Sequence, residues 1–148
     1  MSEMTTHGPT LITEGEWAGW SSWTHDAFET RAGPFYMREI DGERVSAFRA
    51  GPEHMNGAGS MHGGCMMTFA DFALFTIAQE ELGENFGVTI NLSGDFLGGI
   101  SVGQMVEARG EVTRGGGKTI FVRGLVTGDG TPALSFTGII RKITRTSV

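Results

Sequence analysis

The residue pattern predicts an α+β domain in which an antiparallel sheet wraps one long helix. Three observations predict it. Residues 65–78 form an apolar stretch of about four helical turns, apolar nearly all round a helical projection, as in a helix buried on most sides. Four later segments, 88–96, 105–112, 119–126 and 134–143, alternate or carry β-branched residues. The glycine-rich breaks between these segments are short, which suits antiparallel neighbours.

The elements follow in order. Residues 1–12 read as polar and loosely held. A helix is expected from Thr13 towards Thr30: Thr13 can cap it, Glu16 sits three residues on, and Trp17, Trp20 and Trp23 share a face. Gly33-Pro34 would end it. Segments 35–40 and 45–50 flank Asp41-Gly42, a hairpin-turn pair. Residues 51–60 form a loop rich in glycine. The apolar helix follows Met61-His62-Gly63-Gly64, returns to solvent at Glu80 and Glu81, and stops at Gly83. A four-strand meander completes the chain. The domain reading is an N-terminal segment, 1–34, carrying the expected helix, and one domain, 35–148.

Composition narrows the function. A chain of 148 residues that is 39% hydrophobic can bury a real core. A net charge of −6 makes a poor partner for nucleic acid and gives no reason to expect binding to anionic membranes. Any phosphate-bearing ligand must then meet a local basic patch. The single cysteine, Cys65, excludes an intrachain disulfide and reads as cytoplasmic. The start, Met1-Ser2-Glu3-Met4, lacks the basic and apolar regions of a signal peptide. Residues 65–78 are too short to span a bilayer.

Asp71 is the only charge in that fourteen-residue run. A buried carboxylate is costly unless it is hydrogen-bonded, so Asp71 is either structural or reactive. The loop before it ends in two glycines at a helix start. The first N–H groups of a helix lack internal partners and carry partial positive charge, a ready oxyanion site. Asp71 lies eight residues beyond Gly63, roughly 12 Å along a helix axis. A base must be within about 3 Å of its proton, or one water away. If both groups act on one substrate, they come from two subunits with antiparallel helices.

Asn56-Gly-Ala-Gly-Ser-Met-His62-Gly63-Gly64, followed by Asp71, resembles the hotdog-fold acyl-CoA thioesterases, in the branch of the phenylacetate-pathway thioesterase and thioesterase superfamily member two. The resemblance covers roughly residues 35–143. It implies hydrolysis of an acyl-CoA to free acid and CoA by a homodimer, with a dimer of dimers left open, and no cofactor. It implies that the Gly63 N–H, with Asn56, polarises the thioester carbonyl. Asp71 of the other subunit would activate water or attack directly, and Thr89 would position that water. His62 would support the loop or contact the sulfur. Gly64 and Met67 would line the substrate site. Among the bases clustered near strand ends, Arg114 and Lys118 are read as meeting the CoA phosphates, although a solvated sheet rim explains such bases equally well. Relatives often have a proline-containing turn where this chain has Leu97-Gly98-Gly99-Ile100. A non-catalytic acyl-CoA-binding module of the same fold is the rival reading; a dehydratase lacks its catalytic His pairing.

Other motifs carry less. Gly115-Gly116-Gly117-Lys118-Thr119 imitates a P-loop, but position 112 is Val where glycine is required. Gly57-Ala58-Gly59 imitates a dinucleotide fingerprint, but position 62 is His. His7, His25, His54 and His62 show no ligand spacing, so no metal is expected. Cys65 reads as packing, as do Trp17, Trp20 and Trp23. Met55, Met61, Met66 and Met67 read as core or acyl-channel lining. Arg123, Arg141 and Lys142 join Arg114 and Lys118 near strand ends.

Overall fold

The computed structural model describes residues 8–144; His7 lies outside the described residues. Strands β1 (Thr10–Leu11) and β2 (Ser21–Ser22) precede helix α1 (Ala27–Ala32). The hairpin β3 (Tyr36–Ile40) and β4 (Glu43–Arg49) follows, then helix α2 (Gly63–Ile77) and the short α3 (Gln79–Leu82). Strands β5 (Phe86–Phe96), β6 (Met105–Arg114), β7 (Thr119–Gly128) and β8 (Thr131–Ile143) complete the described chain. All pair into one antiparallel sheet of order β1-β2-β3-β4-β6-β7-β8-β5.

The hairpin forms where Asp41-Gly42 places it. Both residues have positive φ, 52° and 80°, the pair of angles that a two-residue hairpin turn needs to match strand twist. Helix α2 lies against the sheet and is buried through Phe69, Ala70, Ala73 and Leu74. Phe69 joins the hairpin to the helix: its ring lies 5.3 Å from Phe35 and 4.8 Å from Phe48. Each such buried ring contributes about 1.5–3 kcal/mol. Helix and sheet meet closely at Gly138 on β8. A Cβ there would lie 2.4 Å from Leu74 Cδ1.

Three expectations are corrected. The last four strands are not a simple meander. β6, β7 and β8 are consecutive neighbours, but β5 pairs with β8 at the far edge. The connection after β5 carries the chain back across the sheet, anchored by the fully buried Ile100, and β6 pairs with β4. The amino-terminal helix is also shorter than the segment from Thr13 to Thr30. Gly15 and Gly19 adopt φ of 78° and 89°, outside the helical region, and the chain turns back on itself there. Trp17 stacks on Tyr36 of β3 with ring centroids 4.3 Å apart, and Trp20 meets Trp17 edge-on. The helix that does form is capped by Asp26, whose side chain accepts from the Glu29 N–H, and Gly33 ends it. Likewise, Thr10 and Leu11 belong to β1 rather than to a loose end.

Among the described residues no helix is long and apolar enough to cross a membrane.

Candidate active site

Asp71 projects from the middle of α2, half-buried, and its Oδ1 accepts a hydrogen bond of 2.5 Å from Thr89 Oγ1. A separation that short is typical of a hydroxyl donating to a carboxylate. Thr89 is brought there by β5, whose pairing with β8 shifts register between Thr89 and Asn91. The hydroxyl spends its one proton on Asp71, and its lone pairs stay free to accept. The second carboxylate oxygen has no partner among the described hydrogen bonds. One water could therefore bridge Thr89 and Asp71.

A cleft of about 650 Å³ opens beside this pair. Its walls are largely apolar and come from three elements. Trp23 and Phe28 lie on the α1 side, Phe72 and Phe75 on α2, and Phe86 and Val88 on β5. Asp26 and Glu29 also line it. The Glu29 carboxyl is pushed up to about 8, first by burial, then by its hydrogen bond to the Asp26 side chain and by the charges of Asp26 and Asp71.

The other half of the predicted site lies at the amino end of α2. His62 caps the helix: its Nδ1 accepts the Gly64 N–H at 2.9 Å, so a neutral ring carries its proton on Nε2. The Gly64 amide is thereby occupied. The Gly63 N–H has no acceptor among the described residues. A Cβ on Gly63 would lie 3.1 Å from the Phe96 ring, so a side chain there would press on β5. Asn56 turns its carbonyl inward to accept from the N–H groups of Ala58 and Ser60, at 2.9 and 3.2 Å. That leaves only its amide nitrogen for a ligand. Buried His54 steadies the same loop by accepting from the Gly51 N–H at 2.9 Å and, through its carbonyl, from the His62 N–H.

Asp71 and Thr89 thus meet within one chain, whereas Asn56, His62, Gly63 and Gly64 do not line their cleft. Met67 packs against the core, and a Cβ on Gly94 would sit 3.0 Å from its sulfur. Arg114 and Lys118 are exposed at the β6–β7 turn, also outside the cleft. Burial and then the charge of Glu53 push the Cys65 thiol up to about 11, which keeps it protonated and unreactive near neutrality. Met61 and Met66 are core residues. Trp23 departs from the other two tryptophans by lining the cleft. No cluster of three His, Cys, Asp or Glu groups suited to a metal occurs among the described residues. The cleft residues that sequence reasoning missed, Phe28 and Glu29, lie on a six-residue helix whose only signal was the Asp26-x-x-Glu29 spacing.

An antiparallel sheet wrapped on one long helix is the hotdog architecture. The thioesterase superfamily profile matches residues 58–133. The chain belongs to the thioesterase superfamily. It is 35% identical over 92 residues, covering 60% of this chain and 68% of the other, to PA0474 of Pseudomonas aeruginosa, described as a candidate esterase. A variant of the phenylacetic acid degradation protein PaaI of Thermus thermophilus superposes with a TM-score of 0.68 at 27% identity, over 80% of this chain and all of that one. A hypothetical thioesterase of Streptococcus pneumoniae TIGR4, solved with coenzyme A, has the same fold, with a TM-score of 0.68 at 20% identity, over 80% of this chain and 93% of that one.

Proposed function

We propose that this protein hydrolyses acyl-CoA thioesters at two composite sites of a homodimer. The observation that carries the reading is the division of the site. The chain brings Asp71 and Thr89 to the apolar cleft and leaves the Gly63 N–H, unpaired among the described residues, about two turns away at the amino end of α2. Two copies with antiparallel α2 helices would place the partner subunit's Gly63 across from Asp71. The edge strand β5 supports such pairing. It ends the sheet, and Val88 and Ile90 on it are 44% and 54% exposed. Open apolar edges of this kind favour covering by another strand.

In the reaction, a water held by Thr89 and Asp71 gives a proton to the free Asp71 oxygen. Its oxygen bonds to the thioester carbon. The carbonyl electrons move to oxygen, where the partner subunit's Gly63 N–H and the Asn56 amide stabilise the charge. The C–S bond then breaks. The CoA thiolate takes the proton from Asp71, and free acid remains. A thiol near pKa 8.5 needs little acid assistance to leave.

A panel of acyl-CoA esters, followed by thiol release, tests this. Asp71→Asn is expected to lower kcat by about 10²–10⁴. Coexpressed Asp71→Ala and Gly63→Pro chains should recover one working site per mixed dimer. Full activity in Asp71→Asn would sink the catalytic role. Binding without turnover by the wild type would make the protein an acyl-CoA-binding module instead.

A further inference from the structure

The polar lining of the cleft is one-sided. Among the described residues it holds three carboxyl groups, Asp26, Glu29 and Asp71, and no Lys, Arg or His. The rest is aromatic or aliphatic, apart from a few neutral polar groups such as Gln79 and Asn85. A volume of about 650 Å³ lies within the range of small-ligand pockets. An acyl chain whose thioester carbon meets Asp71 must pass among Phe72, Phe75 and Phe28, and these surroundings also include Glu29.

Glu29 is half-buried in the cleft wall, and its backbone N–H bonds to the Asp26 side chain at 2.9 Å. Its carboxyl is raised to about 8, first by burial and then by the neighbouring Asp26 and Asp71. The charged groups facing Glu29 are Asp26 at its own helix cap and Asp71 on α2. The β5 wall contributes Val88 and Thr89, which do not titrate in this range. A carboxylate entering on a ligand would add a further negative charge to a largely apolar cleft, with no Lys, Arg or His among its described lining residues to answer it.

We propose that Glu29, braced by Asp26, is a specificity-determining residue: it lets the cleft accept uncharged acyl groups and turns away acyl groups that end in a carboxylate. This rests on the cleft being the acyl site of the proposed thioesterase. The preference grows with alkalinity, because the Glu29 carboxyl, raised to about 8, then loses its proton. Below that range Asp26 and Asp71 alone exclude the anion, more weakly.

Binding is read separately from chemistry. Two non-hydrolysable thioethers of matched length, S-hexyl-CoA and S-(5-carboxypentyl)-CoA, are titrated calorimetrically into the full chain at pH 7 and pH 9. Hexanoyl-CoA and adipoyl-CoA report hydrolysis in parallel. The wild type is expected to prefer the uncharged thioether by about thirtyfold at pH 9, as expected for like charges at several ångströms in a partly solvated site, and by less at pH 7. Glu29→Gln should abolish the widening between the two pH values. The Asp26→Asn/Glu29→Gln double variant should narrow the preference at pH 9 at least fivefold, a selective change that a merely structural role would not produce. Equal affinity of the wild type for both thioethers, or variants that weaken both alike, overturns the inference and leaves the hydrolysis reading standing. Discrimination between thioethers without cleavage of either ester does the reverse. If neither thioether binds, both fall.

Discussion

Replacing Thr89 by valine exchanges one hydroxyl for a methyl group on the same branched carbon. Strand preference and shape are kept, so β5 and its register shift should persist. What is lost is the 2.5 Å hydrogen bond to Asp71 Oδ1 and the acceptor beside it. A hydrogen bond to a charged group is worth about 1.5–3 kcal/mol, more than a neutral one. Asp71 is half-buried, so water replaces that bond only in part. If the full interaction is needed in the transition state, kcat falls by about tenfold to a hundredfold, at 1.36 kcal/mol per decade. KM should change little, since valine keeps the shape of the side chain on the cleft wall. The assay is steady-state hydrolysis of the best ester in the panel, with Thr89→Ser as the control that restores the hydroxyl. Serine should recover most of the rate. Unchanged kcat in Thr89→Val would refute the role assigned to this contact. A serine variant as slow as the valine one would show that the methyl group, not the hydroxyl, matters.

Two further outcomes follow from the packing and charge of the fold. Gly138→Ala puts a methyl group 2.4 Å from Leu74 Cδ1, and overpacking of this kind costs about 1–3 kcal/mol in urea unfolding; a loss too small to measure would mean that α2 lies farther from β8 than described. Glu29 has its carboxyl raised from 4.5 to about 8, so the folded chain binds more protons than the unfolded one between these values. Its contribution is therefore fully present below pH 4.5 and is lost as pH rises through about 8. After discounting for partial exposure, Glu29→Gln should gain on the order of 1–2 kcal/mol relative to the wild type between pH 6 and pH 9, read by chemical denaturation and by amide exchange within α1. A pH-independent difference between the two proteins would contradict the shift.

Much of the architecture was legible because it rests on local signals. The apolar run around Asp71 could hardly be other than a buried helix, and Asp41-Gly42 specified its turn. The strand cores of β6, β7 and β8 were visible in their alternation. The place of β5 was not, because alternation tells which residues form a strand and says nothing of its neighbours. The amino-terminal segment misled for a different reason. The tryptophans have helical spacing, but Gly15 and Gly19 take backbone angles that no helix uses, and stacking of Trp17 on Tyr36 decides the path. Of the candidate residues, spacing and resemblance single out Asp71, Thr89 and Gly63, and the fold brings the first two together. Glu29 and Phe28 were not, because on a short helix they look like ordinary solvent-facing residues until α1 is laid against α2.

The position of β5 also orders events in time. Thr89 can brace Asp71 only once β5 is seated, and β5 is seated on β8. A growing chain therefore makes α2 and β5 long before residues 131–143 exist to receive them. Until then the strand that carries Thr89 has no place in the sheet, and the most apolar helix of the protein lacks part of its cover. Such long-range pairing is slow to form because loop closure precedes the contacts that reward it. The Asp71–Thr89 pair proposed to do the chemistry is thus completed by one of the last strands to be made, and a chain that lost β8 would lose that pair along with its fold.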